Sequence, residues 1–232
     1  MNNHSLNVSL SRSETIQGIC WLVISQLILP SLLVTGNALL AAPLSSAVLN
    51  FVYYCINFTA VVWILRGFLR QSWILAFKTP FSVIWYAILG YLGCEFFTEI
   101  VNLLIYRIDP GFLNANNQAV LGLVKNDFVL MAIGTVLLVP VAEELLYRGV
   151  VFRSLWNRSH LWAYVVSILL FAAMHCLSYI GTYSPLQLVL AIVQYLPAGY
   201  CLCWTYCQTG TIAAPMVMHA LVNAMTIYYS VR

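Results

Sequence analysis

Charged residues are scarce in this chain, because Asp, Glu, Lys and Arg make up only 7% of its 232 residues. Soluble proteins carry about 25% charged residues, so the composition argues against a domain that folds in water. The Lys and Arg residues form no run, and no basic stripe of the kind that binds nucleic acid is present. We therefore expect no nucleic acid partner.

Long apolar runs take the place of the missing charge. The chain is 62% hydrophobic, and several runs exceed the roughly 18 apolar residues that cross a bilayer core of about 30 Å. The alternating segments of about ten residues that indicate a transmembrane barrel are missing. The sequence predicts an all-α, polytopic bundle in the cell membrane with about seven spanning helices, at about residues 15–41, 44–65, 80–106, 127–152, 161–181, 185–208 and 211–231.

The spans divide into two predicted parts. Residues 1–126 are expected to form about three N-terminal transmembrane helices with their loops, and residues 127–232 about four more. The polar N-terminal tail is expected to lead into a retained first helix. Lys and Arg favour the N-terminal side of the bundle, so the positive-inside rule predicts a cytoplasmic N-terminus.

Two adjacent carboxylates and an arginine interrupt the fourth predicted span. Glu144 and Arg148 are four residues apart, share one helix face and can form an ion pair. Glu143 is rotated from Glu144 by about 100°, which leaves it to face a cavity. A desolvated carboxylate with no cation beside it can take a proton from water. The alternative is an ordinary helix end with interfacial charges.

Histidine and asparagine appear in two later spans. Phe171 and His175 are one turn apart, so the ring can shield the imidazole; the alternative is an interhelical hydrogen bond. His219 and Asn223 also share a face, where two donors can hold a developing oxyanion. Their alternative is polar contact between helices. Counted from the helix ends, Glu143, His175 and His219 reach a similar depth, in a site expected to open toward the cytoplasm.

These three short patterns, in this order on the fourth, fifth and seventh predicted spans, resemble the CPBP family of intramembrane proteases. The family comprises CAAX prenyl endopeptidases and bacteriocin-processing or immunity proteins, and its unit is also called the Abi domain. The resemblance covers about residues 127–232 and implies that they form a catalytic core of about four transmembrane helices. It is carried by E-E-x-x-x-R (Glu143, Glu144, Arg148), F-x-x-x-H (Phe171, His175) and H-x-x-x-N (His219, Asn223).

The resemblance implies a glutamate-dependent peptide hydrolase. Glu143 would be the general base that activates water, His175 would assist it, and His219 and Asn223 would stabilise the oxyanion. The substrate would be a peptide or protein, with or without a lipid modification, that reaches the site among membrane lipids. Three further residues would support the site: Glu144, Arg148 and Phe171.

No cofactor and no catalytic metal are expected. Two His and a carboxylate could bind zinc, but the sequence contains no H-E-x-x-H, and the resemblance implies glutamate chemistry without a metal. The cysteines contain no C-x-x-C pair, and packing is the favoured interpretation for all seven.

Two other functions remain open from the sequence. One is a non-enzymatic bacteriocin immunity or membrane scaffold protein on the same fold. The other is a small transporter, suggested by Glu95, Glu99 and Asn102, which follow one helix face in the third span. That stripe is also compatible with an internal polar network or with a role in substrate access. No inverted repeat supports the transporter.

Overall fold

The computed structural model describes residue 6 and residues 8–230, which are mostly helical and form no β-strand. Residues 1–5 and 7 of the polar tail, and residues 231–232 at the end of the last predicted span, lie outside the described residues. The helices are α1 Arg12–Ala38, α2 Ser46–Ile64, α3 Arg66–Lys78, α4 Pro80–Ile108, α5 Ala115–Asn126, α6 Phe128–Trp156, α7 His160–Tyr179, α8 Pro185–Thr209 and α9 Ala213–Ser230.

Six helices of the described chain are long and apolar enough to cross a membrane, namely α1, α2, α4, α6, α7 and α8. The all-α, polytopic class is confirmed, whereas the number of seven spans is not. The seventh predicted span forms α9 but is not among the six. Its length is close to the minimum for a span, and His219, Asn223 and the tyrosines at its end lower its hydropathy.

The two long polar links between predicted spans are themselves largely helical. In α3 the buried residues Phe68, Ser72 and Ala76 are four apart and form one face, so α3 is amphipathic and packs along one end of the bundle. In the second link, Asn114 caps the start of α5 by accepting a hydrogen bond from the Asn117 backbone N–H.

One end of the bundle carries most of the cations, and we call it the basic end. Glu14 Oε1 accepts a hydrogen bond of 2.8 Å from Phe68 N, so the starts of α1 and α3 meet there. Ser72 Oγ accepts one of 2.8 Å from Ile212 N, just before α9. Arg153 donates to the carbonyl of Val8 at 2.9 Å. The described cations of this end are Arg12, Arg66, Arg70, Lys78, Arg153 and Arg158.

The opposite end, which we call the far end, is joined by other contacts. Asn114 Nδ2 donates to Gln194 Oε1 at 2.7 Å, which ties the start of α5 to α8. Ala47, Val124, Met131 and Ile227 form a small apolar cluster from α2, α5, α6 and α9. The described cations of this end are Arg107 and Lys125, and Arg232, expected here, lies outside the described residues.

Helix α6 contains two π-helical stretches, Gly134–Leu138 and Leu145–Phe152, separated by the α-helical turns Val139–Glu144. Pro140 lies in this short segment and has no N–H to donate to the preceding turn. Short π-helical insertions are frequent at functional sites. All eight residues of Leu145–Phe152 are buried. This part of α6 therefore forms the packed centre of the half of the bundle that is next to the basic end.

Candidate active site

A cavity of about 450 Å³ lies inside the bundle. Residues from both predicted parts of the chain, 1–126 and 127–232, line it. The two parts therefore contribute to the same cavity. Its described lining contains many amide side chains, two carboxylates and two imidazoles, and no Lys or Arg. The carboxylates and imidazoles are those of Glu95, Glu143, His175 and His219.

Glu143 lies between the two imidazoles. Its Oε2 atom is 3.8 Å from His175 Nε2 and 4.0 Å from His219 Nε2, and its side chain is 17% exposed. This buried oxygen makes no hydrogen bond to the described protein atoms. Separations of this size are bridged by one water in many protein sites. The arrangement can therefore hold a small polar group between a carboxylate and two nitrogen atoms.

Each imidazole is held through Nδ1, with Nε2 on the side of Glu143. His175 Nδ1 is 2.8 Å from the carbonyl oxygen of Phe171, and His219 Nδ1 is 2.8 Å from Glu144 Oε1. A carbonyl oxygen only accepts, so His175 Nδ1 carries the proton and neutral His175 presents a lone pair at Nε2. A protonated His175 would present a donor at the same position.

The predicted ion pair is present and completely buried. Arg148 donates to Glu144 Oε1 at 2.9 Å, and both side chains are 0% exposed. Arg148 also donates to the carbonyl of Gly199 at 3.2 Å. The same Glu144 oxygen lies beside His219 Nδ1, so Glu144 joins the ion pair to the imidazole. Helical spacing could not predict this second contact, because it joins helices α6 and α9.

Phe171 packs at the junction of these groups. Its ring centroid is 4.5 Å from that of His175 and 6.0 Å from that of His219. The guanidinium carbon of Arg148 lies 4.5 Å from the centre of the same ring, within the range of a cation–π contact. Phe171 thus fixes the relative positions of the cation and the two imidazoles.

Asn223 also lines the cavity, with one donor already engaged. Its Nδ2 atom donates to the carbonyl oxygen of Thr135 at 2.8 Å. Thr135 belongs to the first π-helical stretch of α6. An amide has two N–H groups, so one remains available for another acceptor. All four residues expected to be catalytic line one cavity, and the predicted roles of all seven site residues remain proposals.

A network of amides lies next to the imidazoles, and of its members only Asn102 was named from the sequence, in a stripe compatible with an internal polar network. Gln194 accepts from Asn114 and donates to Asn102 Oδ1, each at 2.7 Å. Tyr195 OH accepts from Asn116 at 3.0 Å, donates to Asn117 Oδ1 at 3.1 Å, and its ring lies 4.6 Å from the His175 ring. Gln194, an amide inside an apolar span, was the available signal. We call Asn102, Asn114, Asn116, Asn117 and Gln194 the amide network.

The predicted stripe on α4 is only partly directed at the cavity. Glu95 and Asn102 line it, together with Thr98, whereas Glu99 is exposed and does not. Residues 95, 98 and 102 follow the i, i+3, i+7 positions of one face, and Glu99 lies beside that face.

The described lining of the cavity reaches one end of the bundle. It includes Asn114, Asn116 and Asn117 at the far end, and no residue from the described connections at the basic end. The expectation that the site opens toward the cytoplasm remains a prediction.

No group of three or more His, Cys, Asp or Glu side chains in the described part of the chain is arranged to hold a metal ion. The cysteines that the structure describes are all unpaired thiols. The expected lack of a catalytic metal remains a prediction.

Six helices able to span a membrane, surrounding a cavity with a carboxylate between two imidazoles, define a membrane protein with an internal polar site. Residues 125–225 match the family model described as type II CAAX prenyl endopeptidase Rce1-like. The resemblance to the CPBP or CAAX-protease family, a family of membrane proteases, is thereby confirmed over these residues. Comparison with curated proteins and with solved structures finds no match.

Proposed function

We propose that the chain is an intramembrane endopeptidase in which Glu143 activates the attacking water. The substrate is a peptide or protein, with or without a lipid modification, and the N-terminus of the enzyme is cytoplasmic. The observation that carries the proposal is the position of Glu143 Oε2, 3.8 Å and 4.0 Å from the Nε2 atoms of His175 and His219. A general base must reach the proton that it takes directly or through one water.

The proposed reaction needs only the groups of this cavity and water. Glu143 takes a proton from the water as the water oxygen bonds to the carbonyl carbon of the peptide. His175, through Nε2, orients the water and Glu143. The intermediate collapses as the C–N bond breaks, and the proton held by Glu143 passes to the leaving nitrogen. The products are a carboxylic acid and an amine, which balances the hydrolysis.

Stabilisation of the oxyanion of the intermediate is assigned to His219 and Asn223. A bond from His219 Nε2 requires a proton at that atom while Nδ1 donates to Glu144. His219 has a carboxylate on each side, with Glu143 Oε2 4.0 Å from Nε2 and Glu144 Oε1 2.8 Å from Nδ1. Asn223 contributes the N–H that Thr135 does not use. Donors aligned in a dry site commonly lower such barriers by about 3–4 kcal/mol.

A matched pair of variants tests the proposal. Glu143→Gln removes the base and keeps the shape, while Glu99→Gln makes the same change at an exposed glutamate that does not line the cavity. The purified proteins would be incubated with peptide libraries that include prenylated and unmodified peptides. We expect Glu143→Gln to lower cleavage at least about 100-fold and Glu99→Gln to cleave like the parent.

Cleavage by Glu143→Gln at the parent rate would reject the assignment. If the parent chain cleaves no member of the libraries, and a cellular phenotype of the gene survives Glu143→Gln, the non-enzymatic immunity or scaffold function replaces it.

A further inference from the structure

The amide network keeps unused hydrogen-bonding groups on the wall of the cavity. All five of its members line that cavity, and they come from α4, the start of α5 and α8. In the described part of the chain, Asn102 Nδ2 and Asn117 Nδ2 donate no hydrogen bond, and Asn116 Oδ1 accepts none. The wall therefore offers both donors and an acceptor to a molecule in the cavity.

The other half of each of these three amides is already bound, which fixes the direction of the unused half. Asn102 Oδ1 accepts from Gln194 at 2.7 Å, and Asn117 Oδ1 accepts from Tyr195 OH at 3.1 Å. Asn116 Nδ2 donates to the same hydroxyl at 3.0 Å. A side chain that is held in this way loses little conformational entropy when it binds a ligand.

The charges of the cavity restrict the class of ligand. Its described lining carries Glu95 and Glu143 and no Lys or Arg. A carboxylate or phosphate group would therefore find no cation in that lining, and the two carboxylates would repel it. The amides are uncharged and suit a neutral group with alternating donors and acceptors. A peptide main chain is such a group, because each residue other than proline supplies one N–H and one C=O.

Tyr195 connects the network to the candidate catalytic residues. Its hydroxyl takes part in the hydrogen bonds of the network, and its ring centroid lies 4.6 Å from that of His175. His175 Nε2 in turn lies 3.8 Å from Glu143 Oε2. An extended chain advances about 3.3 Å per residue. A peptide that is cut beside Glu143 therefore passes the network within a few residues of the cut bond.

We propose that the amide network is a subsite that binds the main chain of an extended peptide substrate, a few residues from the scissile bond. The proposal rests on the proposed function and names the part of the substrate that this wall of the cavity recognises. Asn102 and Asn117 donate to peptide carbonyl oxygens, and Asn116 accepts from a peptide N–H. Recognition through the main chain tolerates many side chains. A proline at the position that Asn116 contacts is rejected, because proline has no N–H.

The same network ties α5 to α8, so the variants must separate ligand binding from bracing of the helices. Asn117→Asp replaces Nδ2 by oxygen and keeps Oδ1 as the acceptor for Tyr195. The new charge lies in the first turn of α5, where the helix dipole favours it. Gln118→Glu is the matched control, because it makes the same change at an exposed residue that does not line the cavity. Asn102→Leu is a second variant, on a different helix.

Peptide affinity is measured in the Glu143→Gln background, so that the probe is not consumed. The probe is a fluorescein-labelled octapeptide, the tightest binder in a pool of prenylated and unmodified peptides, and its anisotropy is followed in detergent. Each peptide bond of the probe is replaced in turn by an (E)-alkene, which keeps the planar shape and removes the N–H and the C=O. Every variant is first checked for a monodisperse peak and for its melting temperature.

In the Glu143→Gln background we expect the alkene at a few neighbouring bonds to raise Kd about three- to tenfold, as for the loss of one hydrogen bond. Adding Asn117→Asp should raise the Kd of the all-amide probe by a similar factor. The alkene penalty at one of those bonds should then fall below about twofold, because its partner on the protein is already gone. Gln118→Glu should change neither the Kd nor the alkene penalties.

Alkene penalties that are the same with and without the Asn117 and Asn102 amides would show that the network only braces α5, and would overturn the inference. A Kd that no alkene changes, or a pool in which no peptide binds, would overturn it as well. The proposed function is judged separately, by cleavage of the same probe by the chain that retains Glu143. A probe that binds through its main chain and is never cut would reject the peptidase and support the subsite.

Discussion

His219 Nδ1 lies 2.8 Å from Glu144 Oε1, although the two residues are 75 positions apart in the chain. The same oxygen accepts a hydrogen bond of 2.9 Å from Arg148. Glu144 therefore has two structural partners: it neutralises a buried cation and it orients an imidazole beside Glu143. A carboxylate behind a functional histidine fixes the orientation and the tautomer of the ring.

The two roles of Glu144 can be separated by mutation. Glu144→Leu leaves Arg148 as an uncompensated buried charge, which typically costs about 3–5 kcal/mol. We expect a clear fall in the melting temperature in detergent together with loss of cleavage. In the double variant Glu144→Leu, Arg148→Met the buried charge is gone, so the melting temperature should recover. Cleavage should not recover, because His219 still lacks its acceptor. A double variant as active as the parent would contradict the orienting role.

Asn223→Ala tests the proposed oxyanion donor. Loss of one such donor typically lowers kcat about 100- to 1000-fold, and KM should change much less because the interaction forms in the transition state. The variant also loses the hydrogen bond to Thr135. The melting temperature must therefore be measured in parallel. An unchanged kcat in a folded protein would remove Asn223 from the mechanism.

Tyr195 is expected to position His175 through its ring and the amide network through its hydroxyl. Tyr195→Phe keeps the ring near the imidazole and loses hydrogen bonds worth about 1 kcal/mol each. We expect it to retain kcat within about threefold while KM rises. Tyr195→Leu loses the ring contact as well, and kcat should fall further. Equal kcat for the two variants would show that the ring does not position His175.

Gly90 is expected to be essential for the packing of α4 against α8 and α9. A Cβ atom there would collide with Thr205 Oγ1 and with Met218 Sδ. Gly90→Ala should lower stability by about 1–3 kcal/mol, the usual cost of overpacking. Gly122→Ala in α5 is the matched control, because a Cβ there meets nothing within 4 Å. Thermal unfolding in detergent compares them, and equal melting temperatures would contradict the prediction.

A strong chelator is expected to leave cleavage unchanged, since the proposed nucleophile is formed by Glu143 rather than by a metal-bound water. Elemental analysis of the active protein should find well under one zinc per chain. Activity that is lost with the chelator and restored by added zinc would reverse this prediction.

Much of the fold followed from the apolar runs. The six span-capable helices match predicted spans to within a few residues, because spans of about 20 apolar residues are set by the bilayer thickness. The seventh is not confirmed, because His219, Asn223 and the tyrosines at its end lower the hydropathy of α9. The short helices α3 and α5 correspond to segments that the sequence predicts to be polar links. Each helix has a polar face as well as the apolar face that packs on the bundle, so its average composition does not indicate a packed helix.

The site could be predicted where contacts are local. The pair Glu144–Arg148 follows from helical spacing alone. The contacts of Glu144 with His219, of Asn223 with Thr135 and of Tyr195 with His175 join different helices. These contacts depend on how each helix is rotated about its axis. The π-helical stretches of α6 change which side chains face the neighbouring helices, and the spacing rules for a regular α-helix do not predict that change.

The cavity that holds Glu143, His175 and His219 has a consequence for turnover under the proposed function. Both fragments of a cut chain would occupy that cavity until they depart. A fragment that lingers there blocks the next arrival, so competitive inhibition by cleaved peptide is built into the architecture.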